Sequence, residues 1–146
     1  MAMLSGDATG RLMKYDPRRK QVSVLMRGLA FSNGVALSQD KSYLLVTETT
    51  LFRIHKYWLT GTKKGTSEIL MLLPGTPDNI TKTTNGEFLV AVNSPTARAL
   101  AMRIDGEGRI IEVLDVTFIS QTISEVHEHD RRLFLGSVTV DHVGVF

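Results

Sequence analysis

Three stretches of this chain repeat one pattern at a fixed interval. Ser32-Asn33-Gly34 leads into a short apolar run, breaks at Gln39-Asp40-Lys41-Ser42 and resumes as Tyr43-Leu-Leu-Val46. Asp78-Asn79-Ile80 does the same, with Thr84-Asn85-Gly86 as the break and Phe88-Leu-Val-Ala-Val92 as the second run. Ile123-Ser124-Glu125 follows, with His129-Asp130-Arg131 and then Leu133-Phe-Leu-Gly-Ser137. Asn33 to Asp78 and Asp78 to Ile123 are both 45 residues, and Asp40, Asn85 and Asp130 keep the interval. Units of about 40–50 residues built from short strands predict the blades of a β-propeller, each too small to bury its own apolar faces.

Between these inner hairpins lie runs that read as outer strands. Arg53 to Leu59 and Ser67 to Leu72 form one pair; Ala99 to Ile104 and Arg109 to Leu114 form the next, around Asp105-Gly106-Glu107-Gly108. Asp-Gly between β-branched residues is a strong hairpin signal. Pro74-Gly75-Thr76-Pro77 reads as the crossing between blades, since two prolines exclude helix. Arg11 to Asp16 and Gln21 to Met26 fit the outer hairpin of an earlier blade, and His142 to Phe146 is a short closing piece. No ten-residue stretch has a helical period, so the chain reads as all-β.

At this spacing 146 residues hold about three blades, whereas closed propellers use about four to eight. The expectation is one partial propeller domain over residues 1–146, with repeats starting near 33, 78 and 123. Its two open flanks invite self-association.

Composition narrows the function classes. The net charge is +2, and Lys and Arg are scattered, the densest group being Asp16-Pro17-Arg18-Arg19-Lys20 in a turn. No basic stripe for nucleic acid is expected. There is no cysteine, which removes disulfides and thiolate metal sites. The opening residues lack the apolar core of a signal peptide and no run is long enough to span a bilayer. No phosphate loop or nucleophile elbow appears, and a small-molecule substrate is the partner left.

Chemistry concentrates at the start of the inner strands. Asn33 and Asp78 occupy the same phase, and radial sheets would bring their oxygens to one channel mouth, with Asn79 beside them. Such hard oxygens are part of a Ca²⁺ set, which takes about six to eight. The same residues also make turns by bonding their own backbone. Glu125, His127 and Glu128-His129-Asp130 form a second dense group; Glu125 and His127 share a strand face and suit acid–base work or zinc. Hairpin-turn polarity accounts for His129 and Asp130 equally well. Asn79-Ile80-Thr81 is also a glycosylation sequon, a use incompatible with a narrow channel mouth.

Gly6-Asp-Ala-Thr-Gly-Arg-Leu12, Lys14-Tyr-Asp16, Phe31 to Ser38, Thr47-Glu-Thr49, Lys56-Tyr-Trp-Leu59, Gly65-Thr66, Pro77-Asp-Asn-Ile80 and Glu128-His-Asp130 together resemble the strictosidine synthase-like family. The resemblance runs from Gly6 to Phe146 and corresponds to the C-terminal half of a six-bladed propeller. The wider superfamily includes paraoxonases and gluconolactonases. It implies that Asn33, Asp78 and Asn79 are ligands of a central calcium, and that the complete protein enters the secretory pathway, towards the endoplasmic reticulum or vacuole.

The family's condensation of tryptamine with secologanin depends on a Glu in a His-Phe-Glu stretch. Here that stretch reads Thr122-Ile123-Ser124, so Ser124 stands at the Glu position. A hydroxyl does not replace a carboxylate base at neutral pH. Glu125 is adjacent, but alternation along a strand turns it to the other face. The expected activity is therefore calcium-dependent hydrolysis of esters, lactones or phosphotriesters. An amine–aldehyde condensing enzyme and a non-catalytic binding module are the alternatives.

Overall fold

The structure is a computed structural model that describes residues 6–146. Among these residues there is no helix, and thirteen strands form four antiparallel sheets. The first sheet pairs β1 (Gly10–Asp16) with β2 (Gln21–Leu29). The second is a meander of β3 (Ser32–Leu37), β4 (Tyr43–Glu48), β5 (Arg53–Trp58) and β6 (Ser67–Leu72). The third repeats it with β7 (Thr76–Lys82), β8 (Phe88–Ser94), β9 (Arg98–Ile104) and β10 (Ile110–Asp115). The fourth holds β11 (Glu125–His129), β12 (Arg132–Gly136) and β13 (Gly144–Val145). This is part of a β-propeller.

The sheets stack face to face, and β8 shows why its sequence is apolar throughout. Phe88, Val90 and Val92 point into the core shared with Leu45 and Ile54 of the second sheet. Leu89 and Ala91, one position out of phase, point into the core shared with Val126 and Leu135 of the fourth. A strand covered on both faces loses the polar alternation of a one-sided strand. Leu12 and Leu29 join Val46 and Tyr57 in a third core between the first two sheets.

Charged side chains lock the blades where apolar packing alone would leave choices. Lys56 is 1% exposed. Its Nζ donates to the carbonyl of Gly106 at 2.8 Å and lies over the rings of Tyr43 and Trp58. Glu48, fully buried, accepts from Arg53, lies 2.7 Å from His55 Nε2 and accepts the Ala30 N–H at 2.6 Å. That last bond ties the second sheet to the chain leaving β2.

Two details depart from the sequence expectation. The crossing before the third sheet is confined to Leu73, Pro74 and Gly75, and Pro77 lies inside β7. Proline is tolerated there because β7 is an edge strand of its sheet, where a missing N–H breaks no essential ladder bond. In consequence Asp78 and Asn79 lie within a strand rather than ahead of one, as does Asn33 in β3.

Candidate functional site

The edge strands β3, β7 and β11 lie side by side where the second, third and fourth sheets meet. In β3 the pairing register slips between Ser32 and Val35, which puts Asn33 and Gly34 in a bulge. In β7 it slips between Pro77 and Ile80, putting Asp78 and Asn79 in the equivalent bulge. A bulge releases backbone groups from the ladder and re-aims side chains. Groups on the same and on neighbouring blades take up what is released. The Thr47 hydroxyl accepts from the Gly34 N–H at 2.7 Å and donates to the Asp78 carbonyl at 2.8 Å. Thr49 donates to the Pro77 carbonyl at 2.7 Å, and the Asn79 N–H donates to the Ser124 carbonyl at 3.0 Å.

Gly34 makes this approach feasible. A Cβ at that position would stand 2.6 Å from the Ile80 nitrogen and 2.8 Å from the Asn79 Cα, both backbone atoms that cannot swing aside. The requirement is space rather than torsion.

The result is a cluster of oxygens drawn from three sheets. The Asp78 carboxyl is half-buried, with the side chains of Asn33 and Ser124 and the Asn79 N–H around it. Burial pushes its pKa up, the three polar neighbours only partly offset this, and the net shift is upward. Glu125 follows Ser124, whose carbonyl accepts the Asn79 N–H. Burial raises its pKa too, against the opposing effects of Asn79 and His127, and the nearby charge of Asp78 adds to the rise. Glu125 Oε1 is sealed from solvent and has no hydrogen-bond partner among the described residues.

Asn33, Asp78 and Asn79 are therefore brought together, and Ser124 and Glu125 join them. Strand alternation predicts opposite faces for Ser124 and Glu125. Both stand against the Asp78-Asn79 bulge, because Ser124 precedes β11 and alternation does not govern it. His127 is exposed on β11; His129 and Asp130 lie at the hairpin end, largely in solvent. Glu128 is engaged elsewhere, paired with Arg103 at 2.9 Å. Thr47 and Thr49 are components that residue chemistry alone did not single out.

Among the described residues no group of three or more His, Cys, Asp or Glu side chains is arranged to hold a metal ion. The donor set here is instead two carboxylates and two amides. Hard oxygens without nitrogen or sulfur suit calcium rather than zinc, and the set fits as part of a calcium shell.

Comparison with known proteins agrees with this architecture. The profile of the strictosidine synthase family matches residues 1–62. Strictosidine synthase-like protein 10 of Arabidopsis thaliana is 37% identical over 99% of this chain and 49% of its own length. Strictosidine synthase of Catharanthus roseus is 35% identical over 98% of this chain and 43% of its own. Over the half of their length that it spans, this chain is similar to strictosidine synthase-like proteins. It spans about half the length of the curated relatives it matches.

Solved structures place the chain's fold among propellers. A luciferin-regenerating enzyme superposes with a TM-score of 0.72 at 20% identity, covering 88% of this chain and 44% of that one. A calcium-binding regucalcin from Agrobacterium tumefaciens gives 0.70 at 15% identity, with the same coverage. A gluconolactonase from Xanthomonas campestris gives 0.70 at 16%, covering 88% and 42%. At these identities the likeness is one of fold.

Proposed function

We propose that the complete propeller to which this chain contributes is a calcium-dependent hydrolase of esters, lactones or phosphotriesters, with Asn33, Asp78 and Asn79 among the ligands. The observation that carries the proposal is the pair of bulges, which turn hard oxygen donors from successive sheets to one place. Calcium there supplies Lewis-acid polarisation of a carbonyl or phosphoryl oxygen. The chain's own residues do the positioning. Thr49 holds the Asn33 amide, and Thr47 ties the Gly34 N–H to the Asp78 carbonyl across the two bulges. His127, exposed on the face of β11 shared with Glu125, is the chain's candidate for moving a proton at the substrate.

The test is hydrolysis of aryl esters and lactones by the complete propeller in calcium and in chelator. Chelation and Asp78→Ala are each expected to lower the rate about 100-fold. Rates indifferent to both contradict the proposal. Amine–aldehyde condensation is the second reading, supported by the 35% identity to strictosidine synthase and opposed by the hydroxyl at Ser124. Turnover of tryptamine with secologanin would favour it instead. As to location, no helix of the described residues is long and apolar enough to cross a membrane. We extend the family likeness to a secretory, endoplasmic reticulum or vacuolar site for the complete protein.

A further inference from the structure

We infer that two copies of this chain close one ring by exchanging strands, β1 and β2 of each copy completing the fourth sheet of the other. The inference is independent of the calcium proposal.

The strand inventory points to it. The second and third sheets each hold an inner hairpin followed by an outer one. Among the described residues the first sheet is an outer hairpin alone, since β2 leads into β3 as β6 leads into β7. The fourth is an inner hairpin, β11 and β12, with a two-residue third strand. The two halves complement each other. Each copy then supplies three blades and two copies supply six, within the roughly four to eight of closed propellers. One copy spans 42–44% of the propellers it superposes on, so two account for most of a ring.

The regular sheets fix the register. Leu44 pairs with Tyr57 in the second sheet, and Phe88 with Ile104 in the third. Leu44, Phe88 and Leu133 each pack towards the preceding sheet. Lys14-Tyr15 of β1 matches Lys56-Tyr57 of β5 and Arg103-Ile104 of β9. Leu133 of one copy therefore pairs with Tyr15 of the other, Phe134 with Lys14, and Leu135 with Met13. β13 now holds that seat: Leu133 exchanges both backbone bonds with Phe146, and Phe134 and Leu135 pair with Val145 and Gly144. It offers three residues where β1 brings seven and a second strand behind it.

Burial agrees. Tyr57 and Ile104 are 7% and 0% exposed, whereas Tyr15 at the matching position is 59% exposed and Met13 58%. Beside β12 a cleft of about 290 Å³, lined by Arg103, Leu114, Leu133 and Phe146, lies where these two side chains would enter. The free edge of β1 is regular, because the extra residues in its pairing with β2 all fall on β2. An unbulged edge is competent to pair, and a two-stranded sheet gains from being extended.

The experiment measures mass by light scattering over a range of concentration, and cross-linking through introduced cysteines. The chain has none of its own. A dimer that grows no further is expected, because the two contacts close on each other. Lys14→Cys with Phe134→Cys is expected to give disulfide-linked dimers, since non-hydrogen-bonded pairs hold their Cα atoms about 4.5 Å apart. Lys14→Cys with the exposed Thr96→Cys is the control and is expected to give far fewer. A Cβ at Gly144 would run into Ile119 Cγ2, so Gly144→Val loosens β13 and is expected to shift the chain towards dimer. Tyr15→Lys is expected to shift it towards monomer with the circular dichroism unchanged. Monomer at every concentration, growth beyond two copies, equal cross-linking in the control, or a weaker dimer in Gly144→Val each overturns the inference.

Discussion

Thr47 shows how much one hydroxyl can hold together. It takes the N–H that the β3 bulge sets free and gives its proton to the carbonyl of Asp78 in the next sheet. Thr47→Val keeps the shape and leaves both partners unsatisfied, so it is expected to destabilise the fold by about 1–3 kcal/mol in denaturant titration; Thr47→Ser is expected to restore most of the loss. Glu48 makes a different prediction. Burial pushes its pKa up, but Arg53, the Ala30 N–H and His55 outweigh burial and the net shift is below the ordinary 4.5. A lowered carboxylate pKa gives stability that is present above the unfolded-state value and lost as pH falls through the folded one. Glu48→Gln is therefore expected to cost about 3 kcal/mol at pH 7 and to flatten the fall in unfolding temperature below about pH 4.5. Residue type and spacing drew attention to Asn33, Asp78 and Asn79, and it was the family resemblance that made them candidate ligands. The partners of Thr47 and Glu48 were not legible, because both lie in other strands and no local pattern marks a long-range hydrogen bond.

At the scale of the strand, periodicity works where sheets are regular. Ser67–Leu72 is readable to the residue, and so is the Asp105 to Gly108 turn, because Asp-Gly chemistry is local. It fails at the bulges, where an extra residue breaks the period of two: Pro77 reads as part of a crossing and lies in β7. Glu125 falls on the wrong side of Ser124 for a related reason, since alternation does not extend one residue past the end of β11. Asn93, at the end of β8, supplies a link that strand patterns do not reveal. Its amide donates to the Ile123 carbonyl and accepts the Ile123 N–H, both at 2.9 Å, imitating one more ladder pair between the third and fourth sheets. Asn93→Ala is expected to raise amide exchange through β11 and β12 while leaving β3 to β6 protected, measured by hydrogen exchange.

The whole molecule is a run of sheets whose shared cores are the interfaces between blades, and stability accumulates at those interfaces. Among the described residues two faces have no neighbour. Met13, Tyr15 and Val22 are exposed on the first sheet; Val143, Val145 and Phe146 are exposed on the fourth. Self-association through these faces is the expected behaviour of the chain, and light scattering over a range of concentration checks it. The recurrence of 45 residues made the radial plan legible. What it left open was whether the bulged residues meet. The most direct measurement is a calorimetric calcium titration of the wild type, Asn33→Ala, Asp78→Ala and the double variant. One ion per chain is predicted, with each single change weakening it and the double change little worse than Asp78→Ala alone, because both residues serve one ion. Wild-type affinity in Asp78→Ala, or losses that simply add, would mean that the two residues serve no common site.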